Sequence, residues 1–388
     1  MYSYDSRKIK PGDSFICLPG AEPYITEAKS RGASDVLPMS RQEMGDFANT
    51  LFNEPSKKLC VIGVTGTNGK TSICHFLHQA LTLLGKKSYV QGTITHTLTT
   101  PESFDTHEAM RQHLESGGSH FIMEVSSHGI VQQRIAGITF SIKCLTNITG
   151  DHLDFHLTFE HYKQSKLSFI HDKSIPVITP SSILTMPHIE NEHIFAEHNQ
   201  KNLKMAYLIL KHCKFNDAEL TPVFSKLHNA PGRFEKVPSK APFHVFVDYA
   251  HTEDGLKVVL ESATQLKKNG SHLLCCFGCG GDRDKSKRPK MAKIASDYCD
   301  FIVLTQDNPR SEDPEAIMDD ITKGLTHQNY MIEHDRKKAI QILIKQAKKD
   351  DILIIAGKGH ENAQIIGKTR YPFNDKLIAS DLLKDLGY

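Results

Sequence analysis

The chain reads as α/β: two successive parallel sheets covered by helices, with a small segment in front. Three observations predict this. An apolar run, LCVI at 59–62, leads into a glycine-rich loop and then a helical stripe. Apolar runs and helical patterns alternate from there onward, and near PGRFEKV, 231–237, the character changes and a second such series begins. Apolar runs separated by helical patterns of about a dozen residues are the signature of parallel strands joined by crossover helices.

Residues 1–57 carry one strand candidate at 14–18 and a short helical pattern at 25–31, and the polar NEPSKK, 53–58, reads as a linker. The central series starts with GVTGTNGKTS, 63–72, and a helix over 71–84 with Ile73, Phe76, Leu77, Ala80, Leu81 and Leu84 on one face. Its further strands are FIMEV, 121–125, and IKCLTNI, 142–148. The last series has strand candidates HVFVDYA (244–250), HLLCCFG (272–278), FIVLT (301–305) and DILIIAG (351–357). A polar or glycine-containing cluster follows each: DYAHTEDG, GCGGDRDKSKRP, TQDNPRSEDP and GKGHENAQ. Open parallel sheets bind ligands outside the carboxyl ends of their strands, so these four clusters are expected to converge on one cleft.

Composition excludes several classes. Lys plus Arg number 47 against 45 Asp plus Glu, a net charge of +2, which gives no electrostatic case for nucleic acid or an anionic membrane. No stretch approaches the roughly 18 consecutive apolar residues of a membrane span, and the N-terminus has no apolar signal core. A soluble cytoplasmic chain is expected. Nine cysteines in 388 residues make no disulfide scaffold, and Cys276 and Cys279, although spaced CxxC, sit in an apolar strand and its turn, where reduced core thiols are expected.

The loop carries the chemistry. Gly63, Gly66 and Gly69 let backbone N–H groups turn in on a polyphosphate, Lys70 adds positive charge, and the Thr71 hydroxyl suits Mg²⁺. The usual phosphate-loop pattern wants glycine where this chain has Val64. Glu124 and His152 each follow an apolar strand, where a carboxylate and an imidazole can hold a divalent ion beside the phosphates. DRD at 282–284 and DNPR at 307–310 offer charges of both signs, as a zwitterionic amino acid requires, although solvated ion pairs give the same pattern.

Taken together these residues resemble the Mur ligases, and within them the branch that adds the third residue to the peptidoglycan precursor peptide. The resemblance runs from about residue 5 to about residue 375. Its ordered motifs are DSRKIKPGDSFICLPG, TGTNGKTS, LTTPES, EVSSHGIVQQRIAG, TNITGDHLDFH, HYKQSK, HNQKN, PGRFE, DYAHT, GCGGDRDKSKRP, DNPRSEDP and GKGHE. It implies three domains: a reduced UDP-binding N-terminal domain (1–57), a central ATP-binding domain with a P-loop ATPase-like parallel sheet (58–230), and a C-terminal Rossmann-like amino-acid-binding domain (231–388). The implied activity uses ATP and Mg²⁺ to join meso-diaminopimelate to UDP-N-acetylmuramoyl-L-alanyl-D-glutamate through an acyl phosphate, in cytoplasmic peptidoglycan precursor synthesis. A monomer is expected.

Position by position, the resemblance makes Lys70, Glu124, His152 and Lys166 the catalytic set. Gly66, Thr67, Asn68, Gly69, Lys70, Thr71 and Ser72 match the phosphate loop, and Asn199, Asn202, Arg233, Asp248 and His251 the adenine and ribose side. Thr71, Glu124, His152 and Lys166, the last as N6-carboxylysine, match the magnesium ligands; Lys163 is the second choice for the carbamate. Ser6, Arg7, Thr99, Thr100, Ser126, Gln132 and Arg134 match contacts to the UDP-muramoyl substrate. Arg283, Asp307, Asn308, Arg310, Gly357 and Glu361 match the diaminopimelate pocket, in which the DNPR arginine grips the distal carboxylate.

The chain departs from the family pattern in length, with about half the usual uridine-binding segment and few strands between 169 and 198, and HTEDG stands for the common HTPDA. Other readings remain: the same ligase with L-lysine as acceptor, the folylpolyglutamate branch, a nucleotide switch, or a non-catalytic relative that binds UDP-muramoyl peptides. The last would be marked by loss of Lys70, Glu124, His152 or Lys166, all of which are present.

Overall fold

The computed structural model describes residues 1–194 and 196–388, with the backbone alone at Leu153 and Asp154. The chain divides into two compact units. The first comprises Met1–Ile148, Glu160–Met186 and Met205–Val223, the second Thr149–Phe159, Pro187–Lys204 and Phe224–Tyr388.

The first unit holds two parallel sheets. A small one, β1 (Tyr2–Ser3), β2 (Ser14–Cys17) and β3 (Asp35–Pro38), has the order β1-β2-β3. Helix Arg41–Leu51 follows it, opened by a capping box in which Ser40 and Glu43 each accept from the other's backbone N–H. This helix and β2 bury Met44, Ala48 and Ile16 against Phe104 of helix Ser103–Glu115, so the N-terminal segment is packed onto the elements that follow it. Only β2 and the short helix Ile25–Ser30 were legible in this segment. The larger sheet contains β4 (Cys60–Thr65), β5 (Ser88–Gln91), β6 (His120–Glu124), β7 (Ile142–Leu145) and β8 (Val177–Ile178), in the order β5-β6-β4-β7-β8. Strand β4 lies between β6 and β7, and successive strands depart from it to both sides. The loop after β4 therefore opens at the switch point where such sheets take ligands. Helix Lys70–Leu83 buries Ile73, Phe76, Leu77, Ala80 and Leu81 of the face its periodicity predicts, whereas Leu84 caps its C-terminus and is half-buried. Between residues 169 and 186 the described residues contain only β8 and a short turn of 3₁₀-helix at Pro180–Ile183.

The second unit is built on a six-stranded sheet of β9 (Glu235–Lys236), β10 (His244–Asp248), β11 (Leu273–Phe277), β12 (Phe301–Leu304), β13 (Tyr330–Ile332) and β14 (Ile352–Ala356). The order is β13-β12-β11-β14-β10-β9, all parallel except β9 against β10. A hairpin, β15 (Ala363–Ile366) and β16 (Thr369–Pro372), follows. The central strands β11, β12 and β14 are apolar throughout because both faces are covered. Phe246, Cys275, Ile302 and Ile354 enter one core cluster, and Val245, Cys276, Val303 and Leu353 the other. Cys279 belongs to the first cluster and Cys276 to the second, so the CxxC pair is split between the two faces. Burial pushes both thiols up to about 12.

Beneath the carboxyl ends of these strands lies a buried ion pair. Arg336 donates from Nε and Nη2 to the two carboxylate oxygens of Asp375, each at 2.8 Å, and from Nη2 to the Ala356 carbonyl at the end of β14. Both side chains are fully buried. Asp375→Ala leaves the guanidinium buried without its partner, and a loss of about 3–5 kcal/mol is expected. The denaturation midpoint of the unit should fall, and the double change Arg336→Met/Asp375→Leu should restore most of it.

Candidate active site

Strand β4 delivers Thr65 to the loop 66–69, and helix Lys70–Leu83 begins directly after it. Gly66 has φ of +143°, and a Cβ there would lie 1.8 Å from Thr146 Oγ1, so no side chain fits. The segment after β7 braces the loop from outside. Asn147 accepts from the Thr67 N–H at its carbonyl (2.9 Å) and from the Asn68 N–H at Oδ1 (3.0 Å), and Thr146 Oγ1 donates to the Asn68 carbonyl. Thr67 Oγ1 lies 2.8 Å from the Tyr162 hydroxyl. Lys70 Nζ donates to the Gly66 and Thr67 carbonyls at 2.8 Å each, and Lys166 Nζ, from helix Phe159–Phe169, also donates to Gly66 O at 2.9 Å. Two ammonium groups thus meet at one loop carbonyl. Lys166 is 2% exposed and stands over the Tyr162 ring, whereas Lys163 is half-buried beside Glu160.

Glu124, buried at the end of β6, faces the first turn of the loop's helix. Its Oε1 accepts from Thr71 Oγ1 and from the Thr93 N–H, each at 3.0 Å, and its Oε2 from Thr93 Oγ1 at 3.2 Å. The Thr71 hydroxyl and Glu124 carboxylate form an oxygen-only donor pair, which suits a hard cation such as Mg²⁺. The chain around Glu124 continues into a polar network. Thr99 Oγ1 lies 3.2 Å from Thr93 Oγ1, and Thr100 Oγ1 donates to the Glu124 carbonyl at 2.9 Å and touches Ser126 Oγ at 3.0 Å. Arg134 donates to the Thr100 carbonyl (3.2 Å) and pairs with Glu102 (3.5 Å). Gln132 ends helix Ser127–Val131, and its Oε1 is buried with no hydrogen-bond partner among the described residues. Ser6 and Arg7 occupy a turn of the small sheet, where Ser6 donates to Glu27 (2.7 Å) and Arg7 pairs with Asp5 (2.8 Å).

The other candidates belong to the second unit. Three of the four strand-end clusters meet directly, and Tyr249 of the first, DYAHTEDG, lies 5.1 Å ring to ring from His360 of the last. Lys358 Nζ, fully buried, donates to Asn308 Oδ1 (2.9 Å) and Glu361 Oε2 (2.7 Å), and Asn308 Nδ2 donates to the same Glu361 oxygen (3.0 Å). Burial opposes ionisation of Glu361, but the Lys358 ammonium outweighs it and holds the carboxyl below its usual range. Gly357 has φ of +113°, and a Cβ there would come within 2.8 Å of Asp307 Oδ2. Arg310, at φ +51°, donates from Nη1 to the Gly281 carbonyl at 2.6 Å. Arg283 and Arg310 flank Gly280, and Arg283 also donates to the Asp282 carbonyl. Arg283 and Arg310 about Gly280, with the lysine-held carboxylate of Glu361, offer the charges of both signs that a molecule with separated carboxylate and ammonium groups requires.

Around Asp248 a second set gathers. The Arg233 guanidinium lies over the Tyr249 ring, 4.5 Å from its centroid. Asn202 donates to Asn199, Asn199 to Asn229, and Asn229 to the Phe234 carbonyl, a relay that joins helix Glu197–His212 to the PGRFE segment. His251 Nδ1 lies 2.9 Å from the Tyr249 carbonyl. His152 has φ of +54° and lies 3.4 Å from Asp151.

Asp248 accepts from the Phe234 and Ala250 N–H groups at 2.6 and 2.7 Å. Burial raises it to about 6, against the pull of Arg233. Between the unfolded value of 3.8 and about 6 the folded chain keeps a proton that the unfolded chain has released. This group's contribution to stability therefore falls as pH rises through that window. The stability of the native chain, measured against Asp248→Asn by denaturation, should drop by roughly 2–3 kcal/mol between about pH 4 and pH 7.

Thr93, Thr146, Asn147, Tyr162 and Lys358 were not singled out in the sequence. The signal for Lys358 is the GKGHE motif itself, where it stands between Gly357 and Glu361.

Comparison with known proteins identifies the family. The Mur ligase middle domain matches residues 64–212, and the Mur ligase, glutamate ligase domain matches residues 232–359. The chain is 33% identical over 461 positions to UDP-N-acetylmuramoyl-L-alanyl-D-glutamate--2,6-diaminopimelate ligase of Syntrophomonas wolfei, covering 98% of this chain and 94% of that one. It is 35% identical over 447 positions to the ligase of the same name from Fusobacterium nucleatum, covering 97% and 92%. Both alignments are longer than this chain, which therefore lacks segments its relatives carry. A solved structure of a UDP-N-acetylmuramoyl-L-alanyl-D-glutamate--2,6-diaminopimelate ligase superposes with a TM-score of 0.64 at 28% identity, over 100% of this chain and 95% of the other. With the loop, the strand-end clusters and these full-length relatives in agreement, the chain belongs to the Mur ligase family.

Proposed function

We propose that the chain is an ATP-dependent ligase that joins meso-diaminopimelate to UDP-N-acetylmuramoyl-L-alanyl-D-glutamate. The observation that carries this reading is the loop 66–69 with Lys70 and Lys166 turned onto it and Thr71 hydrogen-bonded to Glu124. A glutamyl carboxylate oxygen attacks the γ-phosphorus of ATP and ADP leaves. The amine of diaminopimelate then attacks the acyl carbon, phosphate departs with the carboxylate oxygen, and an amine proton is lost to solvent. Lys70 and the loop N–H groups neutralise charge that develops on the transferring phosphoryl group. Thr71, Glu124, His152 and Lys166 would hold Mg²⁺, which would supply positive charge against the phosphates and the transferring phosphoryl group.

Lys166 serves there as a carbamate, formed when its neutral amine adds CO₂ and releases a proton. The conversion replaces a buried ammonium with an anion. Buried Lys166 supports this role better than half-buried Lys163. Asn199, Asn202, Arg233, Asp248 and His251 take the adenine and ribose. Ser6, Arg7, Thr99, Thr100, Ser126, Gln132 and Arg134 take the UDP-muramoyl peptide. Arg283, Asp307, Asn308, Arg310, Gly357 and Glu361 take diaminopimelate, and Lys358 positions Asn308 and Glu361. Three domains, 1–57, 58–230 and 231–388, a monomeric state and a cytoplasmic location complete the reading. No helix among the described residues is long and apolar enough to cross a membrane.

Substrate labelled with ¹⁸O in the glutamyl carboxylate tests the chemistry. One label per turnover should appear in the released phosphate, and unlabelled phosphate would exclude an acyl phosphate.

A further inference from the structure

The amino ends of β4 and β6, remote from the loop along the same strands, carry a second cluster. Cys60 opens β4 and His120 opens β6, and the two are direct partners in the parallel register. Cys213, which follows the C-terminus of helix Glu197–His212, completes the group: its Sγ lies 3.6 Å from Cys60 Sγ, and one ligand atom of each residue lies within 4.8 Å of the others. His120 is buried and the two cysteines are half-buried. Ser119 Oγ lies 2.8 Å from His120 Nδ1, which leaves Nε2 as the nitrogen with a lone pair to offer.

We propose that Cys60, His120 and Cys213 form a metal site for Zn²⁺ or a similar thiophilic divalent cation, with a fourth position open to water. Ligand atoms around tetrahedral Zn²⁺ lie about 3.5–3.8 Å apart, given bonds of about 2.0–2.3 Å. The present sulfur separation already falls in that range, and the remaining closure is a small side-chain movement. Binding releases two thiol protons to solvent, so the added charge of the ion is balanced by two thiolates. The site would clip the chain after helix Glu197–His212 to the start of the strand that bears the loop, closing 153 residues of sequence. Soft sulfur ligands set it apart from the oxygen-only pair at Glu124, so the two sites select different ions.

Cobalt(II) added to the reduced full-length protein tests this. One equivalent should give a thiolate-to-metal charge-transfer band with the intense visible bands of tetrahedral Co²⁺, both abolished by Zn²⁺. Cys213→Ser should lose the charge-transfer intensity, Ser119→Ala should weaken binding by roughly tenfold, and Cys74→Ser, at a buried thiol of the same unit, should change nothing. If a variant fails to fold, mapping of alkylated peptides on the unaltered protein decides, because Zn²⁺ should protect Cys60 and Cys213 selectively. The proposal is overturned by the absence of a thiolate band, by protection of other cysteines, or by a Cys60–Cys213 disulfide forming in place of metal binding.

Discussion

Lys70→Ala is expected to lower ATP-driven turnover by about 10²–10³-fold, the loss that follows removal of one donor aimed at developing charge. The substitution is informative because the loop should survive it. Gly66 O keeps a donor in Lys166, and Thr146 and Asn147 hold the outer side of the turn. The nucleotide-free variant should therefore melt close to the unaltered protein, while stabilisation by ATP shrinks. Lys70→Arg should recover little, since a planar fork replaces a compact point charge. Turnover within a few-fold of the unaltered enzyme would remove Lys70 from the mechanism.

Arg310→Ala should raise the KM for diaminopimelate steeply, by the equivalent of roughly 2–5 kcal/mol for an ion pair that loses one partner. The backbone is fixed on both sides of this residue: Arg310 N–H donates to the Ile365 carbonyl, and Gly367 N–H donates to the Arg310 carbonyl. The φ of +51° is imposed on any residue here, and alanine tolerates it no worse than arginine. What changes is the guanidinium above the Gly281 carbonyl. The KM for ATP should stay within about twofold, a window in which the loss is clearly one of acceptor binding. Equal loss for both substrates would count against the assignment.

Much of this was legible in the chain because local signals and tertiary demands agree. The strand, loop and helix at 59–84 could be read from apolar spacing and glycine placement, and the four strand-end clusters from the rule that parallel sheets bind ligands at carboxyl ends. Other parts were hidden for physical reasons. Strands β1, β8 and β9 are two residues each, too short to show periodicity. Thr146 and Asn147 brace the loop across 78 or more positions of sequence, and no local pattern marks such a contact. The cysteines give the sharpest case. CxxC spacing drew attention to Cys276 and Cys279, which pack on opposite faces of a sheet. The cluster with metal-ligand geometry is assembled from strand register and the end of a helix, with no sequence motif at all.

The most direct test of the central claim is phosphate release from ATP with Mg²⁺ and UDP-N-acetylmuramoyl-L-alanyl-D-glutamate, run with meso-diaminopimelate, with L-lysine and without an amino acid, with product mass recorded. Turnover and a product heavier by the diaminopimelate residue, in the first reaction alone, is the predicted result. Turnover with lysine would contradict the acceptor assignment to Arg310, and no turnover with any acceptor, despite nucleotide binding, would contradict the ligase itself.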